Sequence, residues 1–138
     1  MQIFLKKSKI SAFSELKITG SKSESNRVLL LQALYKGLTI NNLSNSDDSQ
    51  LMQKAIASED TTVDIHHAGT AMRFLTAYFA TRVGKTTTLT GSQRMQERPI
   101  KILVDALNSL GASITYTKKE GYPPLLIEGK TLYESVFI

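Results

Sequence analysis

The chain has 138 residues, of which 41% are hydrophobic and 21% charged, with no cysteine and a formal charge of +5 at pH 7. That length fits one domain able to bury a sizeable core, and the composition excludes a disordered chain. Without cysteine there are no disulfides, thiolate nucleophiles or cysteine-based zinc sites, while the positive charge favours an anionic partner such as nucleic acid, a membrane surface or a small phosphorylated or carboxylated molecule.

The opening MQIFLKKSKI lacks the apolar core and cleavage site of a secretory signal, and no apolar run reaches the roughly eighteen residues of a membrane span. A reducing, cytoplasmic compartment is expected, and the sequon Asn42-Leu43-Ser44 is read as unmodified.

Gln2 to Lys6 and Glu15 to Thr19 read as short strands. From Ser23, VLLLQALYKG has the apolar density of a mostly buried helix stopped at Gly37. Leu38 to Leu43 reads as a strand, and a helix capped by Ser46 or Asp47 follows, with Leu51, Met52, Ala55 and Ile56 on one face. Thr61 to Ile65 is a strand, and a helix opens at Gly69-Thr70 and runs to about Thr81. Thr86 to Thr90 is the next strand. The polar loop GSQRMQER then leads to Pro99 as the first residue of a helix stopped at Gly111. Ala112 to Thr117 and Leu125 to Glu128 are strands around the turn Glu120-Gly121-Tyr122-Pro123-Pro124, and the apolar end LYESVFI reads as a strand cut short. The order β-α-β-α-β-α-β-α-β-β describes an α/β chain, residues 1–138 without an internal boundary, with helices packed on sheet faces.

Three helix openings carry cations. In GSKSESNR, Gly20 permits a sharp turn, Ser21 and Ser23 are capping residues, and Lys22 and Arg27 flank the helix start, where Glu24 suits the dipole. Backbone donors, hydroxyls and two cations make a phosphate or carboxylate pocket. Spacing alone fits a capped surface helix with solvated cations equally well. GSKS is not a nucleotide P-loop, because the second glycine such a loop requires is replaced by Glu15.

In HHAGTAMRF, Gly69-Thr70 opens the helix, Arg73 lies in its first turn, and His66 and His67 precede it. Adjacent histidines on an extended segment point to opposite sides and no third ligand is spaced to join them, so no metal site is expected. In LTGSQRMQERP, Arg94 and Arg98 stand four apart before Pro99, and arginine forks suit carboxylates and phosphates. The three openings are expected to converge on one surface. No aromatic residues interleave with the charge as on single-strand nucleic-acid platforms, Phe74, Tyr78 and Phe79 are assigned to core packing, and no carboxylate pair is evident at a ligand site.

Taken in order, GSKSESNRVLLLQAL, NLSNSDD, HAGTAMRF, LTGSQRMQERPI with LVDALNSLGA, and GYPPL resemble the 5-enolpyruvylshikimate-3-phosphate synthase family over Gly20 to Pro124. The resemblance implies repeated βαβαββ-type units of the enolpyruvyl transferase inside-out α/β barrel. Residues 1–138 would be the N-terminal portion, an incomplete first domain with the second domain absent. It implies transfer of the enolpyruvyl group of phosphoenolpyruvate to the 5-hydroxyl of shikimate 3-phosphate, with no cofactor or metal and a monomeric full-length enzyme.

By the same resemblance, Lys22 contacts both substrates, Ser23 and Arg27 hold shikimate 3-phosphate, and Gly69 and Arg94 meet phosphoenolpyruvate. His67, Thr70, Arg73 and Arg98 support the site. Proton-transfer residues lie in the missing part, so the chain alone is expected not to turn over. His67 stands where the family commonly has Asn and Phe74 where it has Pro, which bears on substrate affinity and glyphosate sensitivity. The related UDP-N-acetylglucosamine enolpyruvyl transferase is disfavoured by GSKS with Asn26-Arg27 and by the missing cysteine. A small basic nucleic-acid-binding module is the reading of a different class; it predicts binding that weakens steeply with salt.

Overall fold

A computed structural model describes residues 2–9, 12–13 and 15–133. Helix α1 spans Lys22–Leu34, α2 Asp47–Ala57, α3 Gly69–Ala80, α4 Gln93–Gln96 and α5 Lys101–Ser109. The strands are β1 Thr62–Asp64, β2 Thr86–Thr90, β3 Ser113–Tyr116 and β4 Leu125–Glu128.

The four strands form one sheet in the order β1-β2-β4-β3. β1 and β2 run parallel, joined by the α3 crossover, as parallel neighbours require. β4 lies antiparallel to both β2 and β3. From β1 to β4 this is one βαβαββ unit, with α3 and α5 as its principal helices.

Alternation along the strands decides which face is covered. Val63, Thr87, Leu89, Leu125 and Ile127 are buried, whereas Thr86, Thr115 and Glu128 are exposed and Thr88 and Leu126 half-buried. α3 packs against β2 and β4, α5 against β3, and the two helices touch each other. Helices therefore cover one face, not both, among the described residues. Met72, Leu75 and Phe79 of α3 meet the sheet residues in the core. Burying each such side chain contributes about 1.5–3 kcal/mol.

α1 and α2 pack on each other and on α3. A relay of hydroxyls ties the first two together. The Ser44 N–H donates to Ser25 Oγ (2.9 Å), and Ser44 Oγ donates to Ser46 Oγ (3.1 Å). Ser46 Oγ donates to Ser49 Oγ (3.1 Å), and Ser49 Oγ returns to Asn26 Oδ1 of α1 (2.9 Å). Ser25, Asn26, Ser44 and Ser49 are buried, so this polar seam fixes the two helix starts relative to each other.

Several expected elements differ. Gln2 to Lys6, Glu15 to Thr19 and Leu38 to Leu43 form no strand, because no neighbouring strand accepts their backbone groups among the described residues. Just after the second stretch, the Gly20 N–H donates to the Asn42 carbonyl of the third at 3.0 Å. α1 is not mostly buried: Leu29 is covered by α2 and α3, while Leu31 and Leu34 are exposed. The loop after Gly91 contains a helical turn, α4, which seats Met95 in the core, and α5 begins at Lys101, two residues after Pro99. Most of the apolar end, residues 134–138, lies outside the described residues.

Candidate functional site

Three helix starts face one hollow. A cleft of about 640 Å³ receives Lys22 from α1, Asp48 from α2, and Gly69, Thr70, Arg73 and Phe74 from α3. His67 lines it from the turn before α3, and Arg98 and Pro99 from the α4–α5 connection. A second hollow of about 270 Å³ adjoins it, sharing His67 and Arg98 and adding Ser92, Arg94 and Met95. The three basic openings thus meet on one surface.

Each opening has a local cause. Ser21 caps α1, accepting from the Glu24 N–H, and Ser46 caps α2, accepting from the Ser49 N–H. α3 has no such cap: Ala68 precedes it, and among the described residues no side chain caps its first turn. Its leading N–H groups are left for an anion, with the dipole adding about half a positive charge. The turn before it is held in place. His66 adopts a left-handed backbone (φ 52°), its N–H bonded to Asp64 Oδ1 at 2.7 Å and its carbonyl accepting from the Ser92 N–H at 2.8 Å.

The charge is lopsided. Lys22, Arg73, Arg94 and Arg98 line the two hollows against the single carboxylate of Asp48. Lys22 pairs with Asp48 at 3.7 Å, and His67 Nε2 lies 4.0 Å from Asp47. Arg27, Arg73, Arg94 and Arg98 have no carboxylate within ion-pair range among the described residues. Arg73 instead donates to the carbonyls of Gly69 and Pro99, each at 3.4 Å, bridging α3 to the Arg98 segment. Arg98 Nη1 lies over Gly69, in the space a side chain there would fill. A guanidinium over an uncapped helix start is two positive features together, an arrangement that calls for an anion between them.

Ser23 and Arg27 line neither hollow. Arg27 folds back along α1, its Nη1 donating to the Ser23 carbonyl at 2.8 Å and to Ser23 Oγ. Its guanidinium reaches the rim through Phe74, whose ring centroid is 5.7 Å from Cζ.

Two features were not legible beforehand. The acids of α2 read as helix-start residues, yet Asp48 lies in the cleft, while Asp47 stays exposed beside His67 and lines neither hollow. Phe74, half-buried, packs against the core as expected and lines the cleft as well. The doubled acid in NSDD was the available signal, since one acid suffices for a helix start.

Another hollow, about 440 Å³, lies along α1 and is lined by Val28, Leu31, Leu38 and Ile40 with Glu24 as its only charge. It has no cation to hold an anion. No described helix is long and apolar enough to cross a membrane.

Comparison with known proteins identifies the family of the chain. A family model described as EPSP synthase (3-phosphoshikimate 1-carboxyvinyltransferase) matches residues 52–136, more than half of the chain. A 3-phosphoshikimate 1-carboxyvinyltransferase of Bacteroides fragilis is 52% identical over 128 residues, covering 89% of this chain and 31% of that protein. One of Tolumonas auensis is 43% identical over 143 residues, covering 84% of this chain and 33% of that protein. Among solved structures, an EPSP synthase from Acinetobacter baumannii superposes with a TM-score of 0.74 over 83% of this chain and 32% of that one, at 20% identity, a likeness of fold. The chain spans about a third of the length of the curated relatives it matches. On the family model and these relatives, the chain belongs to the EPSP synthase (3-phosphoshikimate 1-carboxyvinyltransferase) family.

Proposed function

We propose that this cleft is one wall of a site that transfers the enolpyruvyl group of phosphoenolpyruvate to the 5-hydroxyl of shikimate 3-phosphate, releasing inorganic phosphate. The observation that carries the reading is the set of arginines without carboxylate partners around the uncapped start of α3. Both substrates bear a phosphate and a carboxylate, so each matches a cluster of guanidinium donors and free N–H groups.

In this reading Lys22 touches both substrates from the wall of the cleft. Ser23 and Arg27 take shikimate 3-phosphate, while the backbone of Gly69 and the fork of Arg94 take phosphoenolpyruvate. Thr70, Arg73, His67 and Arg98 shape the hollow around them. Fixed cations of this kind also stabilise negative charge as it builds up between bound substrate and departing phosphate.

The chain provides binding and orientation. The groups that move protons belong to the portion of the family's length it does not span, so the N-terminal part of a first domain alone does not turn over. The complete enzyme works as a cytoplasmic monomer on two small molecules, without nucleic acid, metal or cofactor.

The test is an amide NMR titration of the chain with shikimate 3-phosphate, repeated with Arg27→Ala. Shifts clustered at residues 20–27 and 69–73 that weaken in the variant support the reading. No shift at millimolar ligand, or equal shifts with single-stranded DNA, would overturn it.

A further inference from the structure

We infer that Phe74 is a positioning residue for Arg27, holding its guanidinium ready for an oxyanion at the cleft rim. The inference rests on the reading of Arg27 as a ligand of shikimate 3-phosphate.

The two side chains come from different helices. Phe74 lies in the second turn of α3, half-buried, with part of its ring lining the cleft. Arg27 lies in α1 and is exposed, with Cζ 5.7 Å from the Phe74 centroid. That is the range in which a ring face attracts a guanidinium. An exposed arginine otherwise samples many rotamers, and fixing them on binding opposes affinity.

The hydrogen bonds of Arg27 show what remains available. Nη1 is engaged with the Ser23 carbonyl and Ser23 Oγ, whereas Nε and Nη2 donate to nothing among the described residues. The ring on one side and Ser23 on the other hold the fork in one orientation, leaving those two nitrogens as a bidentate edge for a phosphate. Ser23 Oγ accepts from Arg27, so its own proton is free to donate to the same anion. An aliphatic side chain at position 74 would fill the volume but offer no π face.

Shikimate 3-phosphate binding by the chain and its Phe74→Leu, Phe74→Tyr and Arg27→Ala variants tests this. Phe74→Leu is expected to weaken binding about 3-fold, with Phe74→Tyr restoring it. In an Arg27→Ala background Phe74→Leu should have no further effect. A packing role alone would weaken binding with or without Arg27, and that outcome overturns the inference. So does Phe74→Leu binding as tightly as the unaltered chain, which leaves the functional reading intact. Failure of the unaltered chain to bind overturns both. A ligand-independent measurement covers any variant that does not fold: ring-current displacement of the Arg27 Hε signal in the unaltered chain supports the contact, and an undisplaced signal overturns it.

Discussion

The guanidinium of Arg98 lies over the α-carbon of Gly69, where any side chain would collide with it. The contact joins two of the three basic openings and uses the space that the missing side chain of Gly69 leaves. Gly69→Ala would keep the helix, since alanine is the better helix former, but it would push the end of Arg98 away. In the proposed site the displaced guanidinium would no longer face the anion at the start of α3, and one charge-assisted hydrogen bond to that anion is worth about 1.5–3 kcal/mol. Gly69→Ala should therefore weaken binding of phosphoenolpyruvate by about ten-fold or more, with little change in thermal midpoint. Calorimetry and a melting curve on the same sample check both halves, and unaltered affinity would exclude the Arg98 contact as a determinant.

How much of this was legible in the sequence depends on whether the cause is local. β2 has the ends the sequence suggests because TTTLT is β-branched and bounded by Gly84 and Gly91. α3 was placed because Gly69-Thr70 and Gly84 bracket an apolar run. The stretches before Gly20 and from Leu38 to Leu43 also carry strand-like residues, but a strand needs a partner, and partners are not written in a segment's own residues. The cations were found because clustering at helix starts is a local signal. That Asp48 and Phe74 enter the cleft follows from how α1, α2 and α3 pack, which no single segment encodes.

The hydroxyl relay between α1 and α2 is expected to be structural. Ser25 is buried and accepts from the Ser44 N–H at 2.9 Å. Ser25→Ala leaves that buried donor without a partner, at a cost of about 1–3 kcal/mol. The relay also sets Lys22 against Asp48, so the variant should bind anions more weakly in its folded form too. Urea unfolding measures the first effect and titration in the native baseline the second. A midpoint equal to that of the unaltered chain would mean that the seam contributes nothing.

Glu59 makes the acid limb of stability predictable in sign. Its carboxyl is held below the ordinary 4.5, first by the hydrogen bond from Lys85 and then by that from Arg82. The bonds measure 2.6 and 3.0 Å. A depressed carboxylate pKa contributes stability above the unfolded value and loses it as the pH falls through the folded one. Glu59→Gln should therefore be modestly less stable than the unaltered chain at neutral pH. The two stability curves should converge as the pH drops below 4.5. The cluster is exposed, so salt should narrow the gap at neutral pH as well. Urea midpoints across a pH series read this out, and curves that stay parallel into acid would contradict the pairing.

Gly129 tests the closure of the sheet independently of the cleft, since it lines neither hollow. Just beyond β4, its N–H donates to the Lys85 carbonyl at 2.8 Å, and its carbonyl accepts from the Gly84 N–H at 3.3 Å. A β-carbon there would overlap the Arg82 carbonyl, a backbone group unable to swing aside as the end of Arg98 can. Gly129→Ala should thus cost about 3 kcal/mol, the upper part of the range for overpacking. The urea midpoint should fall with the slope unchanged, as expected when stability alone changes. Anion binding measured below the unfolding transition should stay as in the unaltered chain, the reverse of the pattern expected for Gly69→Ala. The two glycines would then separate by function: one leaves room for a movable arginine at the anion site, the other for the fixed backbone that closes the sheet.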